Sequence, residues 1–233
     1  MTQIGFDVIS DLNLSISDSF NWEGKATSLY CIIAGNISDD LRVIRQTLMH
    51  LSKYYQGIFY SLGPLEYDKA VDIDARTKEI YKLARMIRNV AVMHQHVVIV
   101  DGIAIIGVNG WYGKVDKTDI VKDAILEQNR NEDVLYLKNT IERLQKHLDV
   151  KKIIVASSSV PSIDLYFGEH PDTIDDQLNL TIGLLADTED KVSHWVYGTY
   201  EKIVDTNING INYLNNSYYN RNNYWAKRIE VAI

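Results

Sequence analysis

Phe6-Asp7-Val8-Ile9-Ser10-Asp11-Leu12-Asn13-Leu14 opens the chain as an apolar strand that runs into a polar turn, and the fold is read outward from it. The same grammar recurs downstream. Leu29 to Ala34 is a β-branched run that ends in Gly35-Asn36-Ile37-Ser38-Asp39, and Gly57 to Leu62 ends in Gly63-Pro64-Leu65-Glu66-Tyr67. Between the second and third runs, Leu41, Ile44, Leu48 and Leu51 are spaced by three, four and three, which gives a helix one apolar face. Asp39 or Asp40 is its expected N-cap. Strands alternating with amphipathic helices predict an α/β architecture.

The pattern continues to the end. A helix is expected from about Asp72 to Arg88, followed by a hairpin of Val97–Val100 and Ile103–Val108 turned by Asp101-Gly102. Leu137, Ile141, Leu144 and Leu148 repeat the helical spacing, with the polar stretch Asn129 to Asp133 expected to break that region in two. Strands are expected at 152–156, 192–197, 202–206, 211–214 and 228–231, with Asn209-Gly210 as a hairpin turn. No repeat or linker interrupts the chain, so 1–233 is expected to form one domain.

Five of these strand ends, in order, resemble the blocks of the calcineurin-like metallophosphoesterases. Asp11-Leu12-Asn13 resembles D-x-H, Gly35-Asn36 resembles G-D, and Gly63-Pro64-Leu65-Glu66 resembles G-N-H-[ED]. Ser157-Ser158-Ser159-Val160-Pro161 is similar to T-H-x-x-P, and Trp195 to Glu201 to W-x-x-G-H-x-H. The resemblance implies two mixed β-sheets packed face to face and flanked by helices. It also implies a lost reaction, because the ligand positions now hold Asn13, Asn36, Pro64, Leu65, Ser158, Thr199 and Glu201, with Asp11 retained.

The chemistry explains why that matters. A two-metal phosphoesterase holds its ions about 3.5–4 Å apart, and together they activate water and stabilise the phosphoryl oxygens. Such a pair needs a bridging carboxylate and several imidazoles. Asn36 offers a neutral amide, Leu65 nothing, and Ser158 and Thr199 are poor ligands. No cofactor is therefore expected. Asp11, Asn13, Asn36, Asp39 and Glu201 could still gather at the carboxyl ends of the strands, where oxygen ligands suit Mg²⁺, Ca²⁺ or Mn²⁺. The alternative is that Asp11 and Asn36 hydrogen-bond loop backbone, as Asx residues do in turns.

Histidines do not fill the gap. His94 and His96 form an H-x-H pair that would share a face on a strand, but with no third ligand. His50 and His147 fall on expected helices, His170 precedes Pro171, and His194 is expected near the vacated pocket. The glycine-rich stretch Gly107 to Lys114 has the wrong spacing for a phosphate loop and is expected to lay Trp111 on the core.

The charge balance, 24 Lys+Arg against 31 Asp+Glu, gives −7 and argues against general affinity for nucleic acid or anionic membranes. The one cysteine, Cys31, sits inside an apolar strand, as expected of a chain from a reducing compartment. The resulting expectation is a cytoplasmic protein, or a virion component if phage-encoded. The abundance of Asn, Ile, Tyr and Lys fits AT-rich genomes. The expected role is a non-enzymatic structural or protein-interaction module, with a protein partner or self-assembly. The competing classes are a weak metal-dependent phosphodiesterase through Asp11, Asp39 and Glu201, and a non-hydrolysing phosphate or nucleotide binder. For the contact surface the candidates are Tyr218, Tyr219, Tyr224 and Trp225, residue types enriched at interface hot spots; the alternative is that they cover their own sheet edge.

Overall fold

The computed structural model describes residues 2–111, 120–162, 165, 191–218 and 224–233, with side chains of 120–123 left aside. Two mixed sheets face one another. The first contains β1 (Gln3–Ile9), β2 (Tyr30–Ala34), β3 (Gly57–Ser61), β4 (Val90–Val92) and β11 (Lys227–Ala232), in the order β11-β1-β2-β3-β4. Only β11 runs antiparallel. The second contains β5 (His96–Val100), β6 (Ile103–Val108), β7 (Lys152–Ser157), β8 (Val192–Tyr197), β9 (Val204–Ile208) and β10 (Ile211–Asn215), in the order β5-β6-β7-β8-β10-β9. Its four central strands are parallel and both edges antiparallel.

Side-chain alternation assigns each strand residue to a layer. Phe6, Val8, Ile32, Ala34, Phe59, Ile105, Ile154, Ala156, Val196 and Leu214 fill the space between the sheets. Their neighbours Ile9, Cys31, Ile33, Ile58 and Tyr60 turn outward under α1 (Leu41–Leu51) and α2 (Ile73–Ala84). On the other outer face, Ala104, Ile106, Val108, Ile153, Val155 and Trp195 pack under α3 (Ile120–Gln145). Central strands buried on both faces explain the continuous apolar runs in the sequence.

Caps and turns follow the residue chemistry. Asp40 caps α1 by accepting from Arg42 N, and Asp72 caps α2 by accepting from Ala75 N. Asp101-Gly102 and Asn209-Gly210 both have positive φ at each residue, as a type I′ hairpin requires.

Several expectations are corrected. α3 runs unbroken through Asn129 to Asp133, because that stretch contains no Gly or Pro, exposes Asn131 and Glu132 to solvent and buries Asp133 against hydrogen-bond donors. Gln128 even bonds to Glu132 one turn on. Leu148 lies beyond the helix and is 85% exposed, so it is not part of the buried stripe. The α-helix expected to Arg88 ends at Ala84 and closes in tighter turns before β4, a short strand missed by the sequence reading. His94 and His96 do not share a strand face, since β5 begins at His96 and Gln95 is left-handed. Trp111 is buried against Tyr67, as expected of a ring laid on the core, whereas Tyr112 to Lys114 and His170 lie outside the described residues.

Candidate functional site

Loops leaving the carboxyl ends of β1, β2, β3, β7, β8 and β10 converge at one end of the sandwich, where such folds place ligands. They form an open cleft of about 390 Å³ lined by Asp11, Asn13, Asn36, Pro64, Leu65, Asp68, Thr199, Tyr200, Glu201 and Ser217. Seven of the eight positions singled out in the sequence line it, and the eighth, Ser158, is buried beneath and bonded to Thr199. Asp39 is not in the lining and is ion-paired with Lys69. His194 is also absent from the lining. It lies near the start of β8, beside Asn212, rather than at the cleft.

Asn36 ties the cleft floor together. Its amide nitrogen donates to Asp11 Oδ1 at 2.7 Å and to Thr199 Oγ1 at 3.0 Å, while its Oδ1 accepts from Leu65 N at 3.1 Å. Thr199 Oγ1 donates onward to the Ser158 carbonyl at 2.6 Å, and Thr199 N donates to Asp11 Oδ1 at 2.8 Å. One side chain thus joins the loops after β1, β2, β3 and β8. Asp11 and Asn36 both hold loop backbone, the arrangement expected of Asx residues in turns.

The backbone at the site is unusual. Asp11, Asn13, Asn36 and Thr199 all have positive φ, between 46° and 59°. Asn and Asp tolerate that region, but a β-branched threonine does not, so Thr199 carries strain held by its three hydrogen bonds. Close packing dictates two glycines. A Cβ on Gly198 would meet the Ala34 carbonyl at 2.2 Å, and one on Gly63 would meet Asn36 Oδ1 at 2.5 Å.

Asp11 is almost fully buried, with its Oδ2 shut away from solvent and the Ser10 and Ser217 side chains beside the carboxyl. Burial pushes its carboxyl up to about 6, against the bonds from Asn36 and Thr199 that lower it. Glu66, quoted in the sequence without a role, is the residue that reasoning missed. It is wholly buried and accepts from Asn36 N, Ile37 N, Gly63 N and the Tyr60 hydroxyl. Burial raises its pKa despite these donors. A Glu three residues after the Gly63 turn was the available signal, since that spacing lets a carboxylate reach back to the Gly63 N–H.

The residues present do not fit a metal pair. The amide N–H₂ of Asn36 is turned toward the one carboxylate of the D-x-H block, and its oxygen is taken by Leu65 N. Among the described residues no group of three or more His, Cys, Asp or Glu is placed to hold a metal ion.

No protein-family model matches the sequence, and no curated protein is similar to it. Solved structures do match. Phosphopantetheinyl hydrolase from Mycobacterium tuberculosis superposes with a TM-score of 0.68 at 16% identity, over 97% of this chain and 96% of that one. The fold is that of the calcineurin-like metallophosphoesterases. A putative 5′-nucleotidase from Staphylococcus aureus matches at 0.60 and 10% identity, over 99% of this chain and 51% of its own. GAP50, the anchor in the inner membrane complex of Plasmodium, matches at 0.55 and 11% identity, over 94% and 72%. Among the described residues no helix is long and apolar enough to cross a membrane.

Proposed function

We propose that this chain is a catalytically inactive member of the metallophosphoesterase fold, used as a structural or protein-interaction module. The observation that carries the reading is the Asn36 amide, which meets Asp11, Thr199 and Leu65 in the place where a catalytic site would need a bridging carboxylate. With its amide committed in this way, Asn36 supplies no bridging carboxylate to hold a metal pair that would activate water and balance a phosphoryl group. Attachment is a use this fold already has, since one of its structural neighbours is described as an anchor. A place in a phage virion is compatible with the Asn- and Tyr-rich composition, and purification from particles against free lysate would decide it.

The test is metal analysis after purification in Mn²⁺ or Zn²⁺, paired with turnover of a generic phosphodiester. The expected result is well under one ion per chain and background hydrolysis. Two ions per chain, or metal-dependent turnover that vanishes in Asp11→Ala, would overturn the reading.

A further inference from the structure

The four sheet edges are not guarded alike. An edge strand offers unpaired N–H and C=O groups to any other strand, and proteins protect it with charge, proline, bulges or brevity. β11 carries Lys227, Arg228 and Glu230, β9 carries Asp205 and Asn207, and β4 is three residues long. β5 reads His96-Val97-Val98-Ile99-Val100, with no Lys, Arg, Asp, Glu, Gly or Pro, and it pairs on one side only, with β6. On this strand Ile99 is 47% exposed.

The hairpin turn fixes which groups are free. Around a two-residue loop the flanking Val100 and Ile103 exchange hydrogen bonds, so Val98 and His96 also bond inward to β6. The N–H and C=O of Val97 and Ile99 therefore point outward, and among the described residues no backbone group meets them. Gln95 and Asp101 are left-handed and end the strand on either side.

We propose that β5 pairs antiparallel with β5 of a second copy of this chain, joining their six-stranded sheets across a twofold axis. The strand selects its own register. With Val97 opposite Ile99 and Val98 opposite Val98, every outward rung sets extended residue against extended residue. A slip either way opposes Ile99 to the left-handed Gln95, or Val97 to the left-handed Asp101. The centred register also lays Val97 of one copy beside the exposed Ile99 of the other on the same face, a favourable β-branched pair. Charge agrees as well: Asp101, which faces the Tyr30 hydroxyl, comes to the end of the other strand that carries His94 and His96, twice by symmetry. The strand alone buries less than a standard interface, so the dimer is of about micromolar strength. No residue of β5 lines the cleft, so this pairing and the non-catalytic reading stand or fall separately.

Sedimentation velocity of the full chain, from about 1 to about 300 μM, should show monomer giving way to dimer and nothing larger, because the pairing uses up the edge. Ile99→Lys places a guard at an exposed position and should raise the dissociation constant at least about tenfold with an unchanged urea midpoint. Cysteine cross-linking reads the register independently. Val98→Cys sits on the twofold axis at a spacing that a disulfide spans and should oxidise to a linked dimer, whereas Val97→Cys should not. Cys31 is buried and common to both variants. Should Ile99→Lys lower the urea midpoint, the cross-linking contrast decides alone. A monomer throughout, a dimer indifferent to Ile99→Lys, growth beyond the dimer, or equal cross-linking by the two cysteine variants would overturn the proposal.

Discussion

At Asp11 the structure makes a sign-definite claim. Its folded pKa lies near 6, above the ordinary 3.8, so the folded chain holds a proton that the unfolded chain gives up. That contribution is complete below the unfolded value and is lost as pH rises through about 6, a change of roughly 3 kcal/mol. Replacing Asp11 with Asn keeps an acceptor for Asn36 and Thr199 and removes the titration. Denaturant melts of both proteins from pH 4 to 7.5 should show Asp11→Asn gaining on wild type as pH rises; parallel curves would refute the assignment. Asn36→Asp should do the reverse, setting a second carboxylate beside Asp11 and costing about 1–3 kcal/mol near neutrality. It should also leave the chain inert, because grouped catalytic residues act as a unit and one restored ligand achieves little. Substantial metal-dependent turnover from that one change would show a far less degraded site. Residue identities made this much legible: each altered position could be read for the ligand it no longer offers. Their mutual bonding could not be read, because Asn36 and Thr199 are 163 positions apart and meet only through the fold.

Among elements, the turn after β3 depends on Glu66. Its carboxylate satisfies three backbone N–H groups from two loops, and Glu66→Ala would leave them buried without partners. The expected cost is about 3 kcal/mol or more, seen as a loss in the urea midpoint; a change under about 1 kcal/mol would show that water replaces the carboxylate. Elements were legible where a pattern is local, as in both hairpin turns and the apolar stripe of α1. They were misread where tertiary contacts decide. Asp133 looks like a helix breaker in sequence, yet it sits in α3 because its carboxylate accepts from Asn109 N, Gly110 N and Gln95. β4 is three residues long, too short for any alternation to register.

Across the whole molecule, the aromatic tail divides. Tyr224 is 5% exposed, packs against Trp22 and Tyr218, and its hydroxyl donates to the Asn216 carbonyl, so it belongs to the core rather than to a contact surface. Tyr218 leans on Phe20 and is only half-buried, while Tyr219 lies outside the described residues. Trp225 alone of the described three is largely exposed, at 56%. Trp225→Ala should therefore leave the unfolding free energy within about 0.5 kcal/mol of wild type while weakening assembly or partner capture. Tyr224→Ala should cost about 3 kcal/mol, as truncation of a core aromatic does. Stability lost in Trp225→Ala with assembly intact would make this residue core cover as well.

The two sheets are joined differently along their two sides. On one side the chain itself crosses, from β4 through Met93 to β5. On the other the chain crosses again, from β10 to β11, and hydrogen bonds reinforce the join: Ser10 N to the Asn216 carbonyl, Tyr218 N to the Ser10 carbonyl, and the Asn216 amide to the Val8 carbonyl, with Lys227 ion-paired to Asp205. The sandwich is thus a book bound by the chain along both sides, with a hydrogen-bonded clasp added on the second. Amide exchange at Ser10 and Tyr218 reports the clasp opening, and if the covers part there before the protein unfolds, these two amides will exchange together and ahead of β6 and β7. The clasp lies beside the cleft, through Ser217, so whatever fills the cleft should slow that page from turning.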